Sequence, residues 1–234
     1  MTAVYTVGAL FSKQCKDIFR NVEVLILFFV YPLVAFVMTS AIPEEMGQAD
    51  FFISIFGTMH IVFTPMVAMA SMISEEKEKN TLRVLVMSNV KPAVYLLSIG
   101  GFVFICTMIT AVPFVFFGGF TGMDAVRFMV YMAMGCICSL FLGGLIGTAS
   151  KNMMGANAVA IPLGLVISFM PMLSFFQKSI KTFSRFVYGQ QISDLLANPG
   201  KGAATTESFI VVSINMVIFL GVFLFMYRRN KLEV

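Results

Sequence analysis

Residues 92–123 read PAVYLLSIGGFVFICTMITAVPFVFFGGFTGM, and those 32 positions contain no Asp, Glu, Lys or Arg. A helix needs about 20 apolar residues to cross a hydrocarbon core of about 30 Å. In lipid every backbone N–H and C=O must be satisfied within the segment, so the stretch is expected to be helical. Five more stretches without these charges flank it, at 24–43, 51–74, 128–150, 152–177 and 208–227. Six such runs in 234 residues leave little chain for anything but membrane spans and short connections.

Composition agrees. Hydrophobic residues make up 59% of the chain and charged residues 12%, about half the usual charged share of a globular protein. The expected fold is therefore an all-α integral membrane protein of six transmembrane helices. It forms one domain over residues 1–234, with spans at about 24–42, 51–74, 93–117, 128–148, 154–176 and 209–227.

Orientation follows from Lys and Arg. The two termini and the connections after spans 2 and 4 carry Lys13, Lys16, Arg20, Lys77, Lys79, Arg83, Lys91, Lys151, Arg228, Arg229 and Lys231. The opposite side carries Arg127, Lys178, Lys181, Arg185 and Lys201, with the acidic pair Glu44–Glu45. Both termini are thus expected in the cytoplasm. The net charge of +4 mostly reflects this bias, so no nucleic-acid partner is expected. Residues 1–20 lack the apolar core and cleavage site of a signal peptide. Cys15, Cys106, Cys136 and Cys138 avoid the outer connections, so no structural disulfide is implied.

Residues 5–22 place Val7, Leu10, Phe11, Ile18 and Val22 on one helical face and Lys13, Lys16, Asp17 and Arg20 on the other. That pattern suits a helix lying in the interface or one packed on protein. Span 4 carries Gly135, Ser139, Gly143 and Gly147 at steps of four, and span 5 carries Ala156, Ala160, Gly164 and Ser168. Small residues at this spacing let helix backbones approach closely. The expectation is that spans 4 and 5 pack on each other through these stripes. After span 5, Phe176, Ile180, Phe183 and Val187 form one face of an amphipathic segment, with Lys178, Lys181 and Arg185 opposite. This segment is expected to lie at the outer interface or to dip into it, with its cations on lipid phosphates.

Several chemistries lack their residues. His60 is the one Asp, Glu, Lys, Arg or His within a span, whereas ion-coupled carriers usually keep a charged group there. No Gly-x-Ser-Gly, no His-Glu-x-x-His and no Gly-x-x-x-x-Gly-Lys occurs. Glu75-Glu76 matches the paired glutamates of membrane-embedded CAAX-type proteases, but Asn80 stands where their arginine is required. The chain has no site for metal and none for hydrolysing ATP, so energy must come from a partner.

The connection after span 2 reads Glu75-Glu76-Lys77-Glu78-Lys79-Asn80-Thr81-Leu82, then Val84-Leu85-Val86-Met87-Ser88-Asn89-Val90-Lys91-Pro92. Glu75 and Lys79 stand at i, i+4 in the favourable order. Asn80 is the expected break, since Asn tolerates left-handed backbone. Leu82, Leu85 and Val86 then give a short apolar face. This stretch resembles the cytoplasmic loop of type-2 ABC transporter permeases, a Glu-x-Glu-x-Gly-Thr-Leu pattern followed by apolar residues and a turn. Asn80 replaces the Gly, and Asn89 stands where Pro is frequent. Phe19-Arg20-Asn21 and Tyr31-Pro32-Leu33 resemble the same family's entry into the membrane. Met170-Pro171-Met172-Leu173-Ser174-Phe175-Phe176 departs from the Leu-Ser-Gly-x-x-Phe-Pro form of drug and polysaccharide exporters.

The resemblance implies that this connection is a coupling helix docking on a separate ABC ATP-binding subunit through Glu75, Glu76, Glu78, Lys79, Asn80, Thr81, Leu82 and Leu85. It also implies a second permease chain as homodimer or heterodimer, ATP and Mg bound by the partner rather than by this chain, and a location in the cell membrane among lipids. The outer segment would gate the path through Phe176, Ile180, Phe183 and Val187. The implied function is export of amphipathic or hydrophobic molecules. A stand-alone secondary carrier or channel is the alternative.

Overall fold

The computed structural model describes residues 2–18, 21–41, 49–81, 92–197, 199 and 203–230. Among them the order of elements is α1 (Thr2–Ile18), α2 (Val22–Ala41), α3 (Ala49–Glu78), α4 (Pro92–Phe117), α5 (Gly122–Ala149), α6 (Met153–Phe176), α7 (Lys178–Ser184), α8 (Tyr188–Ala197) and α9 (Ala203–Asn230). The described residues contain no strand. Six of the helices, α2 to α6 and α9, are long and apolar enough to cross a membrane.

The ends of these helices are set by local chemistry. Asn21 caps α2: its Oδ1 accepts from the N–H of Val24 at 3.3 Å. Asn152 caps α6 in the same way, accepting from the N–H of Gly155 at 2.8 Å. Past the end of α3, Asn80 takes φ +56°, the left-handed turn expected there. Between α4 and α5 the chain turns through Gly119 and Gly122, with φ of +60° and +56°, where a side chain would be strained.

The second span, α3, is the axis of the bundle. It touches α2, α4, α5, α6 and α8. Of its most apolar stretch 83% is buried, against 22% for α2 and 6% for α9. A helix enclosed in this way cannot leave polar groups unpaired. Thr58 Oγ1 donates to Ser54 O at 2.7 Å, and Thr64 Oγ1 to Leu27 O of α2 at 2.9 Å. The fully buried His60 ties α3 to α4. Its Nε2 lies 3.2 Å from Thr107 O and 3.1 Å from Thr110 Oγ1, and its Nδ1 lies 3.4 Å from Thr64 Oγ1. The ring also packs against Phe114, centroid to centroid 5.7 Å. With Nε2 donating to the Thr107 carbonyl, His60 is a packed polar tie.

The small-residue stripes explain how α3 comes to be central. A Cβ built on Gly143 would stand 2.4 Å from Met66 O, and one on Gly147 would stand 2.9 Å from Ile73 Cβ. One on Gly135 would meet Ile61 Cδ1 at 2.4 Å. Across the axis, one on Gly164 of α6 would meet Met66 Cε and Phe63 Cδ2, both at 2.9 Å. Ser139, Ala156 and Ala160 are likewise buried. The expected pairing of spans 4 and 5 through these stripes is therefore corrected. Met66 of α3 fits between Gly143 on one side and Gly164 on the other, so both stripes pack on α3. Small residues specify that some backbone approaches closely, and α3 is the helix that does so on both sides.

Candidate functional site

Just before Asn80, the last turn of α3 holds four charged residues, and each reaches a different part of the fold. Glu76 is buried, and its Oε1 accepts from Lys13 Nζ at 2.6 Å and Gln14 Nε2 at 3.0 Å, both on α1. Its Oε2 accepts from Thr81 Oγ1 at 3.1 Å. A buried ion pair is tolerable only when such extra bonds satisfy the remaining lone pairs. Glu75 accepts from Asn21 Nδ2 at 3.0 Å, at the start of α2, and pairs with Lys79. The Glu75 carboxylate, hydrogen-bonded to Lys79, holds that ammonium above the ordinary lysine range.

Lys77 and Glu78 point to the opposite side. Lys77 Nζ donates to Thr148 O at 2.8 Å, to Gly147 O at 3.4 Å and to Ser150 O. These carbonyls lie at the C-terminal end of α5, where acceptors lack helical partners and a cation is favoured. Glu78 Oε2 accepts from the N–H of Met153 at 3.0 Å, at the first residue of α6. There the donors are orphaned and an anion is favoured. Two consecutive residues thus hold the end of one spanning helix and the start of the next. A cavity of about 550 Å³ lies between this cluster, α1 and the start of α2, lined by Asp17, Asn21, Glu23, Glu75, Lys79 and Thr81 among others.

Glu75, Glu76, Glu78, Lys79, Asn80 and Thr81 are therefore together, as the sequence placed them. Their carboxylates face other parts of this chain, which charge pattern alone did not reveal. Leu82 and Leu85 lie outside the described residues. Sequence reading did not single out Lys13, Gln14, Asn21 or Lys77 as partners. Lys13 stood out only as part of a polar helix face and Asn21 only in the entry motif, and neither pattern paired them with the glutamates.

At the other end of the bundle, Phe176 and Phe183 are exposed at 72% and 76%, Ile180 is half-buried and Val187 packs at the edge of the core. The deeper element is the next one, α8. Tyr188, Ile192, Leu195 and Leu196 are all buried in the main core. Tyr188 OH bonds Ser139 Oγ of α5 at 2.8 Å. Gln190 and Gln191 are buried too. Gln190 accepts from Ser174 Oγ and Gln191 from Ser208 Oγ, each at 2.7 Å, which ties α8 to α6 and α9. Close approach is enforced at Gly189, where a Cβ would stand 2.8 Å from Ile167 O. The spacing 188, 192, 195, 196 was legible as a helical stripe, but the polar residues between those positions masked it.

A family model described as "ABC-2 family transporter protein" matches residues 39–227, which takes in five of the six spans entire, the cluster at the end of α3 and the whole outer segment. Among curated proteins none matches.

Proposed function

The chain belongs to the ABC-2 transporter family, and from that premise we propose that it is the permease subunit of an ATP-driven exporter for amphipathic or hydrophobic molecules. Membership makes it a multi-pass membrane transport subunit and implies an ATP-binding partner in general. In the proposed reading two permease chains form the path, and ATP and Mg sit on the partner. The termini and the end of α3 face the cytoplasm, in keeping with the distribution of Lys and Arg.

The carrying observation is the set of bonds made by residues 75–81. Glu76 holds α1, Glu75 holds the start of α2, Lys77 holds the end of α5 and Glu78 holds the start of α6. A displacement imposed here by a partner reaches four helices at once. In this reading Leu82 and Leu85 supply the apolar anchor on the ATPase, while Glu75, Glu76 and Glu78 pass the movement inward. Packed helices switch between discrete arrangements rather than bending, so a small push suffices to change access. The substrate class is supported by spans in which His60 is fully buried and tied to the backbone of α4. It is supported further by 19 Met and 26 Phe, side chains that repack around varied apolar surfaces. Phe176, Ile180, Phe183 and Val187, backed by the inserted α8, would close the outer end.

Isolation of the tagged chain from its native membranes should bring down an ATP-binding protein in stoichiometric amount. In the reconstituted complex, Lys77→Gln should leave ATP hydrolysis in place and uncouple it from substrate movement. Gradient-driven flux by the chain alone, without ATP or a partner, would overturn the proposal in favour of a stand-alone carrier.

A further inference from the structure

Among the described residues one buried side-chain polar atom has no partner within the chain, the hydroxyl of Tyr95. Tyr95 stands in the first turn of α4 and is 1% exposed. A phenylalanine would fill the same space without the cost of desolvating an unpaired hydroxyl. A group of this kind is expected to find its partner in some state of the molecule.

Helix register shows which partner is in reach. α4 runs antiparallel to α3: Thr107 O bonds His60, and a Cβ on Gly100 would meet Met69 Cε at 3.7 Å. Continued along both helices, the same register brings Tyr95 level with the turn of α3 from Ile73 to Glu76. Tyr95 shares a buried cluster with Met72 and Ile73. Side chains lean toward the N-terminus of their helix, which for α4 is the direction of Glu76. The charge of Glu76 acts on the Tyr95 hydroxyl.

Glu76 has room for one more donor. An ionised carboxylate accepts about four hydrogen bonds. Its Oε1 takes Lys13 and Gln14, and its Oε2 takes Thr81 alone, at 3.1 Å. Thr81 is also the least firmly held of the three, because its one hydroxyl proton is shared with the Glu76 backbone O, likewise at 3.1 Å. We propose that Tyr95 is the alternate donor to Glu76: when Thr81 withdraws, the phenol hydroxyl closes on Oε2 and keeps the buried carboxylate satisfied. This deepens the reading of residues 75–81 as the element a partner moves, and rests on it. Glu76 then stays on α1 through Lys13 and Gln14 while Thr81 follows the partner.

The test is a double-mutant cycle on the chain alone in mixed micelles, without ATP or a partner. Thr81→Val removes the hydroxyl at constant shape and imitates the withdrawal, and Thr81→Ala serves as a second variant for the same purpose. In the wild-type background Tyr95→Phe should leave the unfolding equilibrium unchanged or shift it toward the folded state. In either Thr81 background the same change should raise the unfolding constant about tenfold, the order expected for a hydrogen bond to a carboxylate. A packing role for the ring would give the same effect in every background. Equal effects of Tyr95→Phe with and without the Thr81 hydroxyl would therefore overturn the proposal. So would a Tyr95→Phe that already destabilises the wild-type chain, since the hydroxyl would then be bonded at rest. Failure of the cycle leaves the coupling reading of residues 75–81 standing, because that reading is tested by recovery of the ATP-binding protein.

Discussion

Adding one methyl group at Gly143 tests the packing that makes α3 central. The new Cβ would stand 2.4 Å from Met66 O and 2.9 Å from Met69 Cβ. Met66 O is backbone within a helix, so no rotamer change relieves the overlap. Restoring ordinary contact at 3.4 Å requires α3 and α5 to part by about 1 Å. Overpacking of this kind costs about 1–3 kcal/mol. A gap of about 1 Å also forfeits up to about half the contact energy of neighbouring pairs, here Ile61 at Gly135 and Ile73 at Gly147. Gly143→Ala should therefore destabilise the folded protein by about 3 kcal/mol, at the upper end of that range. Gly221→Ala is the matched control, because a Cβ there meets nothing within 4 Å. It should change stability by less than about 0.5 kcal/mol, or raise it slightly through better helix propensity. Gly147→Ala, with contacts of 2.9 and 3.0 Å, should fall between the two. Equilibrium unfolding in mixed micelles, followed by circular dichroism, gives the ranking. If Gly143→Ala lies within about 0.5 kcal/mol of Gly221→Ala, the close approach of α3 and α5 is not what the glycine serves.

Other substitutions probe the charged cluster and the inserted outer helix. Glu76→Lys leaves like charges facing Lys13 in a buried site and should abolish membrane yield. Adding Lys13→Glu should restore only part of it, because Gln14 and Thr81 stay matched to the carboxylate that position 76 has lost. No recovery would show that the pair is not the dominant contact. Tyr188→Phe removes a buried hydroxyl partner of Ser139 and should cost about 1–2 kcal/mol. The same change in a Ser139→Ala background should cost clearly less, and additive losses would refute the bond. Lys79 is exposed, so Lys79→Ala should matter by less than about 0.5 kcal/mol. Its folded-state pKa is raised by Glu75. The Lys79–Glu75 contribution is therefore complete at neutral pH and fades only as pH climbs through the lysine range. A loss of the wild-type to Lys79→Ala difference near pH 7 would contradict that sign.

The contacts at 75–81 show what a charge pattern leaves out. Glu75, Glu76 and Glu78 look like a solvated acidic face in the sequence, because charge pattern records which residues are polar and not what they meet. Their partners Lys13, Gln14, Asn21 and Met153 lie between 54 and 75 positions away. Separations of that size are closed only by the helix packing itself. The outer segment repeats the point. An apolar stripe at Phe176, Ile180, Phe183 and Val187 is as regular as the one at Tyr188, Ile192, Leu195 and Leu196, yet only the second is buried in the core. The difference lies in what surrounds them: Gln190 and Gln191 find Ser174 and Ser208, so α8 can enter the bundle without leaving its amides unpaired.

The sequence by itself determined that there are six spans and where they stop. Bilayer thickness fixes the length of an apolar run, and the charges that end each run cannot follow it into lipid. It also determined the left-handed break at Asn80 and the presence of two close-packing stripes, since both depend on the local backbone and the absence of side-chain bulk. Only the tertiary structure decided which helix those stripes receive. Gly143 and Gly164 would accept any backbone that fits, and Met66 reaches both because α2, α4, α5, α6 and α8 enclose the helix whose hydroxyls and imidazole must find bonds inside the bundle.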